Sequence, residues 1–308
     1  MNACTTQIMA ADSRQRHVLS IQSHVVHGRV GNTAAAFPLQ LLGYEVDLIN
    51  SVQLSNHTGY PTFKGQVLEA AELDVLLSGL RSNSLLSNYT HILTGYIGSY
   101  SFLSKVYDFV REMKGKNPNL IYVCDPVMGD NGQMYVPNDL LPVYRERLVQ
   151  IADLLTPNCY EAELLTGISI KTENDAQMAI EALLKEGAKT VVITSIELNT
   201  DDNNLILIAG NREGEKVRLS YPKIRAQFTG TGDLFTALLL GWNEHGLKVS
   251  CEKALMTMQA VLKRTQENAL RLSEGKVPSA EHIELQLVRS KGDIESPPPF
   301  HSSCNHVT

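Results

Sequence analysis

The chain has 308 residues and a formal net charge of −6 at pH 7, with 43% hydrophobic and 19% charged residues. This composition is typical of a globular protein and argues against a filamentous, collagen-like or intrinsically disordered chain. Because the sequence has no run of like charges, it offers no electrostatic footprint for nucleic acid or anionic lipid, and small molecules are the expected partners.

Short apolar runs alternate with segments of helical spacing along most of the chain. The runs are nearly continuous in apolar residues, as expected for strands buried on both faces, and the helices between them favour right-handed parallel crossovers. The strands are predicted over residues 18–22, 46–52, 91–94, 120–124, 154–156, 191–194 and 205–209. The helices are predicted over residues 32–42, 72–81, 102–114, 140–151, 161–166, 175–185, 234–242 and 251–272.

This alternation predicts an α/β fold with three layers, α/β/α, in which helices cover both faces of a mostly parallel central sheet. Helix punctuation supports the register, because Asn117-Pro118 ends one predicted helix and Gly187 follows another. We expect a single domain over residues 17–295. A disordered N-terminal extension at 1–16 and a disordered C-terminal tail at 296–308 are expected on either side.

The five cysteines are widely spread and include neither a C-x-x-C pair nor the spacing of zinc ligands. An odd number without such a framework argues against a disulfide scaffold and favours a reducing compartment. The N-terminus lacks the apolar core of a signal peptide, and no apolar stretch approaches the ~18–20 residues that span a bilayer. We therefore expect a cytoplasmic protein without membrane or nucleic-acid partners.

The clearest candidate site is Gly230-Thr231-Gly232-Asp233, which directly precedes an apolar predicted helix. Glycines let a ligand approach the backbone closely, and the free N–H groups at the start of a helix attract a phosphate or a developing anion. Asp233 is suited there to act as a base or orienter for a hydroxyl that attacks phosphorus. The alternative is that Asp233 only interacts with the helix dipole, which is worth ~0.3–1 kcal/mol.

Further acidic residues follow two predicted strands. Asp125 and Asp130 come after the strand at 120–124, and Glu161 follows the strand at 154–156. In open α/β sheets, ligands bind beyond the carboxyl ends of the strands, and one or two carboxylates there suit a Mg²⁺ ion that bridges nucleotide phosphates. The alternative is turn chemistry, in which Asn158 only caps the helix that carries Glu161.

Two polar regions near strand ends are suited to a flat heteroaromatic ligand. One combines residues 20–24 with the glycine-bearing loop 28–32, and the other combines 50–60 with 94–98. Their hydroxyl, imidazole and tyrosine groups offer hydrogen bonds and aromatic faces, and their histidines lack metal-site spacing. The alternative is that they are ordinary polar loops with buried tyrosines.

The common nucleotide-binding signatures, the P-loop, the complete G-x-G-x-x-G and the protein-kinase motifs, are absent from the sequence. The motifs present instead resemble the pyridoxal kinase family of the ribokinase-like superfamily, over roughly residues 17–295. The resemblance lies in Ser20-Ile21-Gln22-Ser23-His24, Gly28-x-Val30-Gly31-Asn32, Phe37-Pro38-Leu39-Gln40, Asn50-Ser51-Val52-Gln53, Ser55-Asn56-His57-Thr58-Gly59-Tyr60, Leu93-Thr94-Gly95-Tyr96, Cys124-Asp125-Pro126-Val127, Thr156-Pro157-Asn158 and Gly230-Thr231-Gly232-Asp233.

The resemblance implies ATP-dependent phosphorylation of the 5′-hydroxymethyl group of pyridoxal, pyridoxine and pyridoxamine. It also implies a cytoplasmic homodimer that uses Mg²⁺ or another divalent cation, together with a monovalent cation, K⁺ or Na⁺. One departure from the family bears on specificity. After Asp130 only Asn131-Gly132-Gln133 precede Met134-Tyr135, a lid-like segment that is shorter than in animal members. The relative preference among the three vitamers therefore stays open.

The resemblance further implies a role for each matching residue. The catalytic base is Asp233, and the anion hole consists of the amides of Gly230, Thr231 and Gly232. The vitamin ring is expected at Ser23, Thr58 and Tyr96, in a pocket lined by Val30, Leu54, His57 and Phe63. ATP is expected at Asp125, Asp130, Asn158, Glu161, Thr194, Ser195, Ile224, Ala226, Thr231 and Gly232. The metal ions are expected at Asp125, Asp130, Glu161, Thr156 and Thr194.

Two other functions are consistent with these residues. One is a kinase of the same superfamily that acts on another small alcohol, such as hydroxymethylpyrimidine, a sugar or a nucleoside. The other is a non-catalytic protein that binds pyridoxal phosphate on a former kinase fold. The intact Asp233 and both acidic sites argue against the second alternative.

Overall fold

The computed structural model describes residues 16–198 and 203–300 of the chain. All the predicted strands are present, although most extend beyond their predicted bounds. The strands are β1 His17–His27, β2 Glu45–Asn56, β3 Gly65–Val67, β4 His91–Thr94, β5 Ile121–Cys124, β6 Gly129–Asp130, β7 Gln133–Met134, β8 Leu154–Leu155, β9 Thr190–Ile196, β10 Asn204–Asn211 and β11 Lys216–Pro222.

Within the described ranges, a central sheet of nine strands has the order β11-β10-β9-β8-β5-β4-β1-β2-β3. The strands from β9 to β2 in this order are all parallel to one another. The antiparallel strands β10, β11 and β3 lie at the two edges. Strands β6 and β7 form a separate small hairpin. The carboxyl ends of the parallel strands therefore meet along one edge of the sheet, as a ligand site of this fold class requires.

The helices are also where the spacing predicts them. They are α1 Asn32–Leu41, α2 Ala70–Ser82, α3 Tyr100–Lys116, α4 Leu140–Val143, α5 Val149–Ile151, α6 Cys159–Thr166, α7 Glu173–Glu186, α8 Thr231–Trp242, α9 Leu247–Leu272 and α10 Lys291–Glu295. A π-helical turn, Tyr144–Leu148, joins α4 to α5, so the segment predicted as one helix is continuous but locally underwound. No helix in the described part of the chain is long and apolar enough to cross a membrane.

The sheet separates two apolar cores, as the three-layer prediction requires. Neighbouring residues of a strand point to opposite faces, so Val18 and Leu19 of β1 belong to different cores. Residues of α1, α8, α9 and α10 cover the face of Val18. Residues of α2, α3, α6 and α7 cover the face of Leu19. The mostly parallel α/β/α architecture is therefore confirmed.

The predicted helix punctuation agrees with the structure. Asn117 is the C-cap of α3, Gly187 follows α7 with φ 145°, and Thr172 forms a capping box with Asp175 at the start of α7. These local signals fix where each helix begins and ends, and so they set which strand end precedes each loop.

The ends of the described chain pack on the domain. Arg16, expected within the extension, forms an ion pair with Glu244 and lies over the Tyr44 ring at 5.4 Å. Phe300, expected within the tail, is partly buried against the core that contains Val18. Residues 1–15 of the expected extension and residues 301–308 of the expected tail lie outside the described ranges.

Candidate active site

The turn before α8 brings the predicted anion hole close to the loop after β1. Gly230 has φ 86°, and a Cβ placed on it would lie 2.2 Å from the carbonyl oxygen of Arg29, so a side chain has no room there. The amide of Leu234 donates to the carbonyl of Gly230 and begins the helical hydrogen bonding. The amides of Thr231, Gly232 and Asp233 precede it and have no intrahelical acceptor, so they are free for an anion.

Asp233 is held by the loop after β1. The N–H group of Gly31 donates to Asp233 Oδ2 at 2.7 Å. Desolvation by the surrounding protein raises the pKa of Asp233, and the hydrogen bond from Gly31 opposes this shift. The carboxylate therefore has a fixed orientation beside the free amides and an increased affinity for a proton, both of which a base for a substrate hydroxyl requires.

Asp125 is a buried carboxylate with one oxygen atom left without a partner. It is 4% exposed, and its Oδ2 atom has no hydrogen-bond partner among the described residues. Burial raises the pKa of Asp125 well above its ordinary value, and the charges of Glu161 and Asp233 raise it further, against a hydrogen bond with Thr236. A Cβ on Gly232 would lie 3.5 Å from Oδ2, so this oxygen faces the anion hole.

Glu161 is fixed by a capping box at the start of α6. Its Oε2 accepts the N–H of Asn158 at 2.9 Å, and its own N–H donates to Asn158 Oδ1 at 2.9 Å. Its Oε1 accepts the N–H of Met128 at 2.9 Å. Burial raises the pKa of Glu161 to about 8 despite these hydrogen bonds. The capping alternative for Asn158 is thus correct as local structure, and the same contacts hold Glu161 beside Asp125.

Asp130 directly precedes the turn of the β6–β7 hairpin. Asn131 and Gly132 form its two-residue turn with φ 50° and 76°, and Asp130 Oδ1 accepts the N–H of Asn131 at 2.8 Å. Tyr135 follows the hairpin. Its side chain is 54% exposed, and partial burial together with the charges of Glu161, Asp125, Asp130 and Asp233 raises the pKa of Tyr135. The Tyr135 phenol is therefore within electrostatic range of the acidic cluster, which sequence reasoning did not predict.

The remaining residues expected at ATP or a cation lie in or shortly after β8, β9 and β11. Thr156 is buried, and its hydroxyl lies 2.8 Å from that of Thr236 on α8. Thr194 forms a parallel bridge with Asn158. Ser195 has φ 58° and hydrogen-bonds to the hydroxyl of Tyr221. On the segment between β11 and α8, Ile224 packs against the core and Ala226 is exposed.

The expected vitamin side begins where the loop after β1 folds back onto the strand. Gly31 has φ 51°, and a Cβ on it would lie 2.3 Å from Ser23 Oγ, so Ser23, Gly31 and Asp233 form one contiguous group. Val30 is buried beside them. The carbonyl of Tyr96 accepts a hydrogen bond from Ser51 at 2.6 Å, which joins the end of β4 to β2.

The other expected pocket residues lie on or after β2. His57 is 5% exposed, with its Nε2 3.1 Å from Glu284. Leu54 is partly buried and paired with Gly65 of β3. Thr58 is exposed and Phe63 is 48% exposed, so both are on the solvent side of this region.

Sequence reasoning missed four residues that the structure adds to the site: the amide of Gly31, Thr236, Tyr135 and Glu284. A signal existed for Thr236, which follows Asp233 by three positions and so shares its helix face. No local pattern points to Glu284, since its contacts are made across 224 and 255 residues of sequence.

Comparisons with known proteins agree with this geometry. A family model described as phosphomethylpyrimidine kinase matches residues 68–280. The pyridoxal kinase of Sus scrofa is 50% identical over 315 residues, covering 96% of this chain and 97% of that protein. The pyridoxal kinase of Arabidopsis thaliana is 50% identical over 298 residues, covering 94% of each.

A solved structure supports the same relationship. The pyridoxal kinase from Leishmania donovani in complex with ADP and pyridoxine superposes with a TM-score of 0.85 at 37% identity, covering 92% of this chain and 96% of that one. The similarity therefore extends over the sheet and both helical layers.

Proposed function

The chain belongs to the pyridoxal kinases of the phosphomethylpyrimidine kinase family; it is an ATP-dependent kinase of the B6 vitamers, and we propose that Asp233 and the amides at the start of α8 carry out the transfer. The acceptor is the 5′-hydroxymethyl group of pyridoxal, pyridoxine or pyridoxamine. The observation that supports this assignment is the place of Asp233, between the acidic cluster of Asp125 and Glu161 and the group formed by Ser23 and Gly31.

In this proposal each side of Asp233 holds one substrate. ATP lies on the side of Asp125, Asn158 and Glu161, with its γ-phosphoryl group at the amides of Gly230, Thr231 and Gly232. The vitamin ring lies on the side of Ser23, Val30 and Tyr96. Because phosphoryl transfer passes through a loose transition state, alignment of the hydroxyl and stabilisation of the phosphoryl charge contribute more than removal of the proton. Asp233 aligns the hydroxyl and accepts its proton.

The acidic cluster fits a divalent cation. A carboxylate oxygen that is buried without a partner, as Asp125 Oδ2 is, carries an uncompensated cost that a cation removes. Asp125 and Glu161 are the residues that would hold Mg²⁺ or another divalent ion, with phosphate and water oxygens as its other ligands, since no three acidic, histidine or cysteine side chains of the described residues form a metal site on their own. Asp130 on the hairpin is proposed as a further contact. Oxygen ligands suit this ion, which when bound neutralises charge on the nucleotide phosphates. A monovalent cation, K⁺ or Na⁺, is proposed at Thr156 and Thr194, where neutral oxygens are close to the same cluster.

Three further features are proposed from the family resemblance. We propose that residues 17–295 form one catalytic domain and that two copies associate as a homodimer. The exposed apolar side chains of Val26, Phe63 and Val67 around one end of β1 to β3 support a partner surface there. We also propose a cytoplasmic location, since Cys124, Cys159 and Cys251 are free thiols.

The test is formation of ADP by purified protein with ATP, Mg²⁺ and a panel of alcohols. The panel contains the three B6 vitamers, hydroxymethylpyrimidine, ribose and adenosine. The proposal expects phosphorylated product from the vitamers, with kcat/KM at least ~100-fold above the other alcohols, the size of one or two specific contacts. Preference for hydroxymethylpyrimidine would instead support the alternative suggested by the name of the family model. Tight binding of pyridoxal phosphate without ATP turnover would support a non-catalytic binding protein.

A further inference from the structure

Glu284 lies on the segment between α9 and α10, outside every motif that points to the active site. Its side chain is 12% exposed. Its Oε2 accepts the N–H of Arg29 at 2.8 Å, and its Oε1 accepts the hydroxyl of Tyr60 at 3.0 Å. The same Oε1 lies 3.1 Å from His57 Nε2. One carboxylate thus joins two loops, 28–31 after β1 and 57–60 after β2.

The hydrogen bonds of His57 determine which ring nitrogen carries the proton. The N–H of Gly59 donates to Nδ1 at 3.1 Å, so Nδ1 is an acceptor and the proton of the neutral ring is on Nε2, directed at Glu284. Burial alone would raise the pKa of Glu284, but the hydrogen bonds from His57, Arg29 and Tyr60 outweigh burial and lower it. The carboxylate is therefore charged at neutral pH. Because both of its nitrogens are occupied, His57 connects loop 57–60 to Glu284.

Both loops contact the start of α8. The carbonyl of Arg29, whose N–H binds Glu284, lies against Gly230 so closely that a Cβ there would be 2.2 Å away. Two residues later, Gly31 donates to Asp233. On the other loop, a Cβ on Gly59 would lie 3.4 Å from Thr229 Oγ1. Glu284 therefore supports the two loops whose contacts fix the positions of Asp233 and the anion hole.

We propose that Glu284 is a positioning residue that holds loops 28–31 and 57–60 against residues 229–231 and so sets the vitamin side of the site. The proposal rests on the proposed function for the identity of the ligand, although the contacts themselves do not depend on it. The nucleotide side is built by Asp125 and Glu161, neither of which touches Glu284 in the described contacts. Loss of the Glu284 carboxylate should consequently act on the vitamin and on turnover, while ADP, which has no γ-phosphoryl group to reach residues 230–232, should bind as tightly as in the wild type.

The kinetic test compares Glu284→Ala and Glu284→Gln with Tyr60→Phe and Glu281→Ala. Glu281 is an exposed glutamate on the same segment and serves as the matched control. We expect Glu284→Ala to raise the KM for pyridoxal and lower kcat, with a combined loss in kcat/KM of at least ~20-fold, because displacement of a positioned group by ~1 Å costs up to ~100-fold. The Kd of ADP, which lacks the γ-phosphoryl group, should stay within about twofold of the wild-type value. Tyr60→Phe removes one donor and should give a smaller loss of the same kind, and Glu281→Ala should give none.

A second readout does not depend on turnover. Long-range ¹H–¹⁵N spectra of the histidine rings should show Nε2 protonated and Nδ1 unprotonated for His57 in the wild type and in Glu281→Ala. In the Glu284 variants, exchange between the two tautomers should average these signals. Should Glu284→Ala fail to fold, Glu284→Gln and Tyr60→Phe carry the test.

The proposal is overturned if folded Glu284 variants keep the wild-type KM for pyridoxal and wild-type kcat. It is also overturned if the KM for pyridoxal and the Kd of ADP change by the same factor, since that pattern indicates general loss of structure. An inactive wild type with the predicted His57 spectrum would contradict the proposed function instead.

Discussion

The N–H group of Gly31 donates a 2.7 Å hydrogen bond to Oδ2 of Asp233, joining residues that are 202 positions apart. This contact ties the loop that follows the first strand to the first turn of α8. It directs the carboxylate across the sheet edge, between the acidic cluster and the end of β1. An aspartate that only stabilised the helix dipole would not need a partner from another loop, so the contact favours a functional role for Asp233.

Replacement of Asp233 by asparagine should separate turnover from binding. The variant keeps an acceptor for Gly31 but cannot take a proton, so we expect kcat to fall by at least ~100-fold, the scale of a positioned general base. The Kd of pyridoxal, measured by calorimetry in the presence of ADP, should change by less than ~3-fold, which corresponds to less than ~0.7 kcal/mol.

The matched control for this change is Asp139→Asn. Asp139 is exposed at the N-cap of α4 and makes no capping hydrogen bond, so this change alters a helix-terminal charge without touching the site. Its kcat should equal that of the wild type. Near-normal turnover of the Asp233 variant would mean that alignment by other groups suffices and that Asp233 is not the base.

Replacement of Asp125 should keep or raise the stability of the metal-free protein and weaken its use of Mg²⁺. The buried carboxylate of Asp125 has an unpartnered oxygen and two acidic neighbours, Glu161 and Asp233. Asp125→Asn therefore removes both the charge repulsion with these neighbours and the cost of burying a charged group. We expect the metal-free variant to unfold at a temperature equal to or above that of the wild type, while the Mg²⁺ concentration needed for half-maximal activity rises at least ~10-fold, as for loss of one metal ligand. Thermal melts in EDTA and activity titrations with Mg²⁺ measure the two effects. A destabilised variant with an unchanged Mg²⁺ requirement would show that Asp125 has a structural role.

An element of the fold can be predicted from the sequence when it leaves a pattern that is visible locally. Strands such as β9 are buried on both faces and leave an unbroken apolar run, which is readable locally. By contrast, β11 lies at the sheet edge and alternates buried Val217, Leu219 and Tyr221 with more polar positions. A search for continuous runs overlooks this pattern, although period-two alternation predicts a strand. The hairpin of β6 and β7 was also missed, despite an Asn131-Gly132 pair that favours its turn.

The candidate site likewise contains residues that the sequence predicts and a residue that it does not. Asp125 and Glu161 follow neighbouring parallel strands, so topology alone predicts that they meet. Glu284 belongs to a segment without strand or helix, and its contacts with Arg29 and His57 exist only once three distant pieces of chain have folded together. Such contacts have no periodicity and no local motif. They become apparent only in the folded structure.

The acidic cluster predicts how the stability of the metal-free protein depends on pH. Burial raises the pKa of Glu161 from 4.5 to about 8, so the folded state holds a proton that the unfolded state releases between these values. The free energy of unfolding should therefore be highest at or below about pH 4.5 for this group, and this contribution should be lost as pH rises through about 8. Other groups add their own dependence, so the comparison is with a variant.

Urea unfolding in EDTA at several pH values between 5 and 8 measures this dependence. Glu161→Gln cannot titrate, and its stability should fall less over this range than that of the wild type. Mg²⁺ with ATP should also reduce the decline, because a cation favours the ionised carboxylates. Equal slopes for the wild type and Glu161→Gln would mean that Glu161 has an ordinary pKa in the folded protein.

The β6–β7 hairpin should serve the nucleotide and not the vitamin. Gly132 has φ 76°, and a Cβ there would meet no atom within 4 Å, so Gly132→Val acts only through backbone strain, at a cost of ~1–2 kcal/mol. Gly214 has φ 89° in the turn between β10 and β11, is equally open, and provides a control of the same strain away from the site. Because Asp130 directly precedes the strained turn and its charge acts on Glu161, we expect Gly132→Val to raise the KM for ATP at least ~5-fold, the effect of displacing one or two contacts. Both variants should lower the melting temperature by a similar amount, and Gly214→Val should change neither the KM for ATP nor the KM for pyridoxal.

If both variants change the two KM values alike, the hairpin has no specific role and the effect is one of stability. If Gly132→Val changes the KM for pyridoxal instead of the KM for ATP, the hairpin belongs to the vitamin side.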